Sequence, residues 1–364
     1  NFGKIKLHRF VWLDFMRWIL ALMVASGHLH GYGTPHKAYL AVDFFFILSG
    51  FVLTGSKCRS AGNRDFVSKF ITDRIARLYP LHIATLLLLV FINVLFWVTT
   101  RGQFLENGWS YKDGRIYTFI LNILLLQNAG LTENTSWNAP SWSISVEFIT
   151  NIALCYYLIA KNKYNIKVFL YFIPIISYSI LFNQYKTLGV FSETTSYINS
   201  GVLRGLGGIS LGILAWYTFE AINKQIKKLP LILPICCIAV FLYMISFGDK
   251  VENVDFAAIP VMFVSVILLA VAENCRPHSN NIFTRVAVIL GSSSYAVYLI
   301  HWPIITFARY QLIYAWGVNI NLMSPLTTVI ILGSVCIAAI PVYFYFELPM
   351  KQRAKTCFAN WLSR

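Results

Sequence analysis

Apolar stretches of near-membrane length recur along the whole chain, and they leave it few folds to adopt. They run at 10–29, 39–56, 78–98, 116–128, 142–160, 166–183, 201–218, 231–247, 256–272, 287–308 and 326–346. Inside a bilayer every backbone N–H and C=O must be satisfied within the chain, so only helices and closed barrels cross. Most of these runs approach the ~20 residues of a spanning helix, about twice the length of a barrel strand. The sequence therefore predicts an all-α polytopic membrane protein. Only 12% of its residues are charged, against about a quarter in a soluble domain. No repeat, coiled coil or low-complexity stretch is evident. Residues 1–364 read as a single membrane-embedded domain with no separate soluble domain. The first run resembles a signal anchor but is too long for a signal-peptide core, so cleavage is not expected.

Charge then orients the spans. The run at 116–128 has about thirteen residues, below the roughly seventeen a crossing needs. If it does not cross and the N-terminus is inside, the basic clusters at 4–9, 57–77, 161–167, 224–228, 276–285 and 351–364 all fall inside. The outside keeps only Lys37, Arg101, Lys112, Arg115, Lys186, Lys250 and Arg309. The positive-inside rule thus predicts about ten transmembrane helices plus one short re-entrant or interfacial helix at 116–128, with the N- and C-termini cytoplasmic. The same rule accounts for the net charge of +15, and no nucleic-acid partner is expected. Seven Cys, several within apolar runs and none at zinc spacing, read as small apolar side chains.

Ionisable groups inside such spans are costly in lipid, and each is a candidate for function. In the first span Arg17 and His28 are eleven residues apart. On a helix that places them about 20° apart in azimuth and ~16 Å apart along the axis. Asp14 stands one turn before Arg17 and can pair with it. Asp43, near the outer end of the second span, shares the level of His28 and is expected to orient it as a general base. A helix-start role in the dipole field competes for Asp43. Glu147 lies about two turns into the fifth span, after Trp142, with Arg204 of the seventh span as its expected partner. This pair reads either as a structural ion pair or as part of the chemistry. Arg74 and Arg77 sit one turn apart at the inner face, where bidentate donors suit phosphate and also suit lipid head groups. His301, beside Pro303 in the tenth span, reads as a substrate contact or a buried structural histidine. Glu347, at the inner end of the last span, is placed to meet the arginine pair. His28, His30, His36 and Asp43 gather outside but match no metal-ligand spacing. No nucleotide phosphate loop occurs, so no metal and no ATP are expected.

Taken together, Arg17 to His28 after Leu13-Asp14, Asp43 to Phe51, Arg74-Ile75-Ala76-Arg77-Leu78-Tyr79-Pro80, Trp142 to Glu147, Ser294 to Pro303 and Glu347-Leu348-Pro349 resemble, in order, the motifs of the acyltransferase-3 family of integral membrane acyltransferases. Phe15 and Trp18 depart from it, standing where small residues are usual. Phe148-Ile149-Thr150 is less aromatic than typical. The resemblance implies a multi-pass enzyme of the bacterial inner membrane that moves an acetyl group from acetyl-CoA to hydroxyls of cell-envelope carbohydrate. The acceptor would be a polysaccharide such as O-antigen, a lipopolysaccharide or another lipid-linked glycan. Acetyl-CoA would be the donor substrate, with no permanently bound cofactor and membrane lipid as surroundings. It further implies His28, Asp43 and Arg17 as catalytic residues and Arg74, Arg77, Arg17 and Tyr79 around the donor. Glu147, Trp142, His301 and Arg204 would lie around the acceptor. A covalent acyl-histidine is the alternative chemistry, and a transporter or flippase for an envelope glycan is the alternative function.

Overall fold

The computed structural model describes residues 10–362 apart from 32, 59, 103–115, 133–134, 164–167, 196–197 and 277–280. Of the basic residues that set the predicted topology, Lys4, Lys6, Arg9, Arg59, Lys112, Arg115, Lys167 and Arg364 lie outside the described residues. The regular structure of the described residues is helical, with one isolated β-bridge between Thr194 and Asn199. The helices are α1 (Val11–Gly27), α2 (Leu40–Lys57), α3 (Phe66–Thr99), α4 (Ile116–Ile123), α5 (Trp142–Lys163) and α6 (Phe169–Tyr185). They continue as α7 (Ser200–Asn223), α8 (Ile232–Phe247), α9 (Val254–Cys275), α10 (Ile282–Thr306), α11 (Pro325–Pro341) and α12 (Leu348–Leu362). π-Helical turns at Phe307–Ala315 and Val342–Glu347 extend α10 and join α11 to α12.

Every predicted apolar run overlaps one of these helices. Seven helical stretches are long and apolar enough to cross a membrane by length and composition. Helices α1, α6 and α8 are slightly shorter, at 17, 17 and 16 residues. Helix α4 has only 8 residues, about 12 Å of rise, too little for a ~30 Å hydrocarbon core. After it the chain turns inward: Leu125 adopts a left-handed φ of 57°, and Gln127 and Asn128 are buried. Large apolar side chains such as Phe91, Phe172, Ile235 and Ile337 stand open on the outside of the bundle. A contiguous apolar exterior of this kind is stable in lipid and not in water.

Two tight helix pairs build the core: α1 along α10, and α2 along α7. The second pair depends on glycine. A Cβ on Gly212 would run into the Ile47 carbonyl, and one on Gly50 into the Ile209 carbonyl. Small residues that let backbones approach are how helices associate where lipid removes the hydrophobic drive. Gly212→Ala is therefore expected to destabilise the protein by about 1–3 kcal/mol through overpacking. Gly333→Ala, where a Cβ meets open space, serves as the control. Heat denaturation in detergent should lower the midpoint for the first and leave the second unchanged or higher.

Helix α1 is anchored at its start by a carboxylate absent from the sequence reading. The backbone N–H groups of Val11 and Trp12 donate to Glu273 of α9, the latter at 3.2 Å. These are donors that a helix start leaves unpaired, and the negative charge suits that end of the dipole. The helix that carries Arg17 and His28 is thus held at its first turn.

Candidate active site

Three cavities follow one face of α1 in series, named inner, middle and outer after the orientation the charge pattern predicts. The inner one, about 620 Å³, is lined by Asp14, Arg17, Arg77, Tyr295, Glu347 and Lys351 among others. The middle one, about 260 Å³, shares Arg17, Arg77 and Tyr295 with it and adds Arg74, Glu147 and Ser143. The outer one, about 230 Å³, meets the middle cavity at Val42 and Tyr298 and is lined by His28, His30, His36, Tyr39 and Trp142.

Arg17 sits where the inner and middle cavities meet. Its Nε donates to Ser294 Oγ at 2.8 Å, and Nη2 lies 3.3 Å from Asp14 Oδ1. The predicted pairing with Asp14 is present, and it leaves the guanidinium on the cavity wall. Arg74 and Arg77 both line the middle cavity. Arg74 Nε is buried with no hydrogen-bond partner among the described residues, an unmet donor where an anion would supply the acceptor. Glu347 joins Arg77 in the inner cavity as expected, with Lys351 beside it. Tyr79 departs from expectation. Its hydroxyl donates to the Leu124 carbonyl at 3.0 Å and its ring packs edge-on against Phe148. It braces the turn after α4 and lines none of the three cavities.

The expected His28–Asp43 pair does not form. Asp43 is fully buried and gripped by Arg204, Nη2 to Oδ2 at 2.6 Å and Nε to Oδ1 at 3.1 Å. Arg204 spends two further donors on the Tyr39 and Val190 carbonyls, at 3.0 and 3.1 Å. Its guanidinium also lies 5.0 Å from the centre of the Trp142 ring. A planar fork matches a carboxylate in two places at once, and two opposite charges buried together neutralise one another. The expected Glu147–Arg204 pair is absent for the same reason. Glu147 instead accepts from Ser49 Oγ at 2.9 Å and lines the middle cavity with the arginine pair, so it lies on the side assigned to the donor. Arg204 lines none of the three cavities and is a strut between α2 and α7. Trp142 does line the outer cavity, stacked on Phe191 at 5.0 Å.

His28 pairs with His301. His28 Nδ1 and His301 Nε2 are 3.1 Å apart. His301 is fully buried and lines none of the three cavities; its side chain reaches the outer cavity through His28. Sequence reasoning also passed over Tyr298 and Ser143. The Tyr298 hydroxyl donates to the Pro140 carbonyl at 2.9 Å and stands 2.8 Å from Ser143 Oγ, at the junction of the middle and outer cavities. The three-residue spacing of Tyr298 and His301 puts both on one helix face, the signal that could have found Tyr298. At the outer rim Lys37 pairs with Asp255 at 2.6 Å. Burial works against the ammonium, but the hydrogen bond and charge of Asp255 hold it above the ordinary lysine range. Tyr39, Thr187 and the Leu188 N–H converge on the same carboxylate, tying the outer loops to the start of α9. No group of three potential metal ligands occurs among the described residues.

Comparison with known proteins matches residues 10–344 to the model of the acyltransferase domain of the acyltransferase-3 family. Over 149 residues the chain is 34% identical to "Acyltransferase MdmB" of Streptomyces mycarofaciens, covering 36% of this chain and 35% of that protein. It is 23% identical over 333 residues to "Putative O-acetyltransferase SACOL0978" of Staphylococcus aureus (strain COL), 85% of this chain and 53% of that one. It is 22% identical over 331 residues to "Putative peptidoglycan O-acetyltransferase YrhL" of Bacillus subtilis (strain 168), 84% and 50% of the two chains. The chain thus spans about half the length of the latter two relatives and about a third of the first. No solved structure matches.

Proposed function

The chain belongs to the acyltransferase-3 family, and from that premise we propose that it moves an acetyl group from cytoplasmic acetyl-CoA to a hydroxyl of an envelope polysaccharide or glycolipid, with His28 as general base. The observation that carries this reading is the series of cavities joining the arginine pair to His28 along one face of α1. A nucleotide at the inner end would place its phosphates on Arg74 and Arg77. The pantetheine arm would follow Arg17 into the middle cavity, and the thioester would reach the constriction at Tyr298 and Ser143. An acceptor hydroxyl entering the outer cavity attacks the thioester carbonyl and passes its proton to His28. The C–S bond breaks, the thiolate takes that proton, and the products are an O-acetyl ester and free CoA. Neither water nor an external base is consumed.

The test is transfer itself. The purified protein in lipid, given [¹⁴C]acetyl-CoA and envelope glycan from its host, should yield alkali-labile label on the glycan. Absence of label, with glycan instead moved across the bilayer, would replace the enzyme with a transporter. On the donor side, Arg74→Ala should raise KM for acetyl-CoA about 10- to 100-fold, the loss of one charge-assisted contact of ~1.5–3 kcal/mol. KM for acetyl-pantetheine, which lacks the nucleotide, should not change. An equal rise for both donors would move Arg74 off the phosphates. The reading includes ten crossings of the inner membrane with both termini cytoplasmic. A reporter fused at Thr132 should then read as outside.

A further inference from the structure

We propose that His301 is a positioning residue that fixes His28 in the tautomer a general base needs, in place of the usual carboxylate. The proposal rests on the reading of His28 as the base. His301 Nδ1 lies 3.3 Å from the Val297 carbonyl. A carbonyl oxygen only accepts, so Nδ1 carries the hydrogen. A neutral imidazole has one N–H, which leaves His301 Nε2 with a lone pair. That nitrogen is 3.1 Å from His28 Nδ1, so His28 donates from Nδ1, and its own Nε2 is left free to accept a proton. The ring planes are 20° apart with centroids at 5.2 Å. For an N···N separation of 3.1 Å this is an edge-to-edge bond close to both ring planes, not a face-to-face stack. Neutrality follows from the surroundings: the carboxylate of Asp43 is held by Arg204, and a cation buried without a counter-charge is costly.

The turn that carries His301 is pinned on both sides. Pro303 has no N–H and so frees the Leu299 carbonyl, which accepts from Asn138 Nδ2 at 3.4 Å. Trp302 donates from Nε1 to the Trp137 carbonyl at 3.2 Å and sets its ring at 76° to that of His28. When His28 Nε2 takes the hydroxyl proton, the resulting imidazolium keeps its Nδ1–H on the His301 lone pair. The proton then leaves from Nε2 to the thiolate. His301 neither gains nor loses a proton in the cycle.

The decisive measurement is ¹⁵N NMR of the histidine-labelled wild-type protein in nanodiscs, with the His28 signals assigned by their loss in His28→Asn. His28 should show a protonated Nδ1 and a bare Nε2. A proton on Nε2 would overturn the proposal, whether or not the protein transfers acyl groups. Conversely, failure of transfer with the expected tautomer in place would remove the parent reading and leave the pair intact. In the kinetic arm, His301→Gln keeps an acceptor oxygen near the Nε2 position and should retain activity within about tenfold. His301→Ala should lose about 10²-fold or more in kcat with donor KM unchanged, as for a base left in the wrong tautomer. Equal losses in both variants, with the His28 tautomer unaltered, would make His301 a packing residue only and sink the proposal.

Discussion

Acyl transfer is expected to fall by about 10² to 10⁴ in His28→Ala, the range contributed by a positioned general base. The size of the effect follows from the poverty of the outer cavity. Its other histidines are poorly placed to take over. His30 is exposed, with Nδ1 3.1 Å from the His28 carbonyl, and His36 stands on the loop beyond it. Asp43, the carboxylate expected at this level, is committed to Arg204. The loss should be in kcat, since the donor's phosphates would bind at the inner end and His28 lines only the outer cavity. The measurement is initial-rate transfer of labelled acetyl at saturating donor, with size-exclusion profiles confirming a folded protein. A rate within tenfold of wild type would remove His28 from the chemistry. The same label separates direct transfer from a covalent acyl-histidine. Without acceptor, direct transfer leaves the protein unlabelled, whereas the two-step route traps about one acetyl per chain at His28.

How much of this was legible in advance depended on whether a single helix carried the information. The placement of Arg17 and His28 on one face of α1 needed only the period of the helix. The shortness of the helix at 116–128 needed only the length of its apolar run, and the shared cavity of Arg74 and Arg77 needed only their one-turn spacing. Pairings across helices were not legible, because membrane level is set by sequence and topology while azimuth is set by packing. The sequence puts Asp43 near the outer end of its span and Glu147 about two turns into its own, which leaves Arg204 a choice of partner. What decided their partners was the close approach of α2 and α7 at Gly50 and Gly212, which brings Arg204 onto Asp43 across 161 positions of sequence. His28 and His301, 273 positions apart, meet because α1 packs along α10. The role of Glu273 at the start of α1 escaped for the same reason. Tyr79 was carried along by its neighbours in the arginine motif, but it lies on another side of α3 and faces Leu124.

Breaking the Asp43–Arg204 pair supplies the second large effect, and its pattern separates scaffold from chemistry. Both side chains are 0% exposed. Removing one leaves the other charge buried and unpaired, which costs about 3–5 kcal/mol, a large part of the total stability of many domains. Asp43→Ala and Arg204→Ala should each give little folded protein and a sharply lower melting midpoint in detergent. The double replacement Asp43→Leu with Arg204→Met removes both charges and keeps most of the volume. Buried ion pairs exchanged for apolar residues of similar size are often neutral or stabilising, so the double variant should recover the fold that either single change loses. Its activity then decides the role of Asp43. A strut leaves His28 and His301 in place, and the double variant should transfer acyl groups within about tenfold of wild type. If Asp43 were the group that orients His28, the double variant would fold and be inactive by about 10²-fold or more. Recovery of fold and activity together would assign Asp43 to the α2–α7 seam and leave the histidine pair as the unit on which transfer depends.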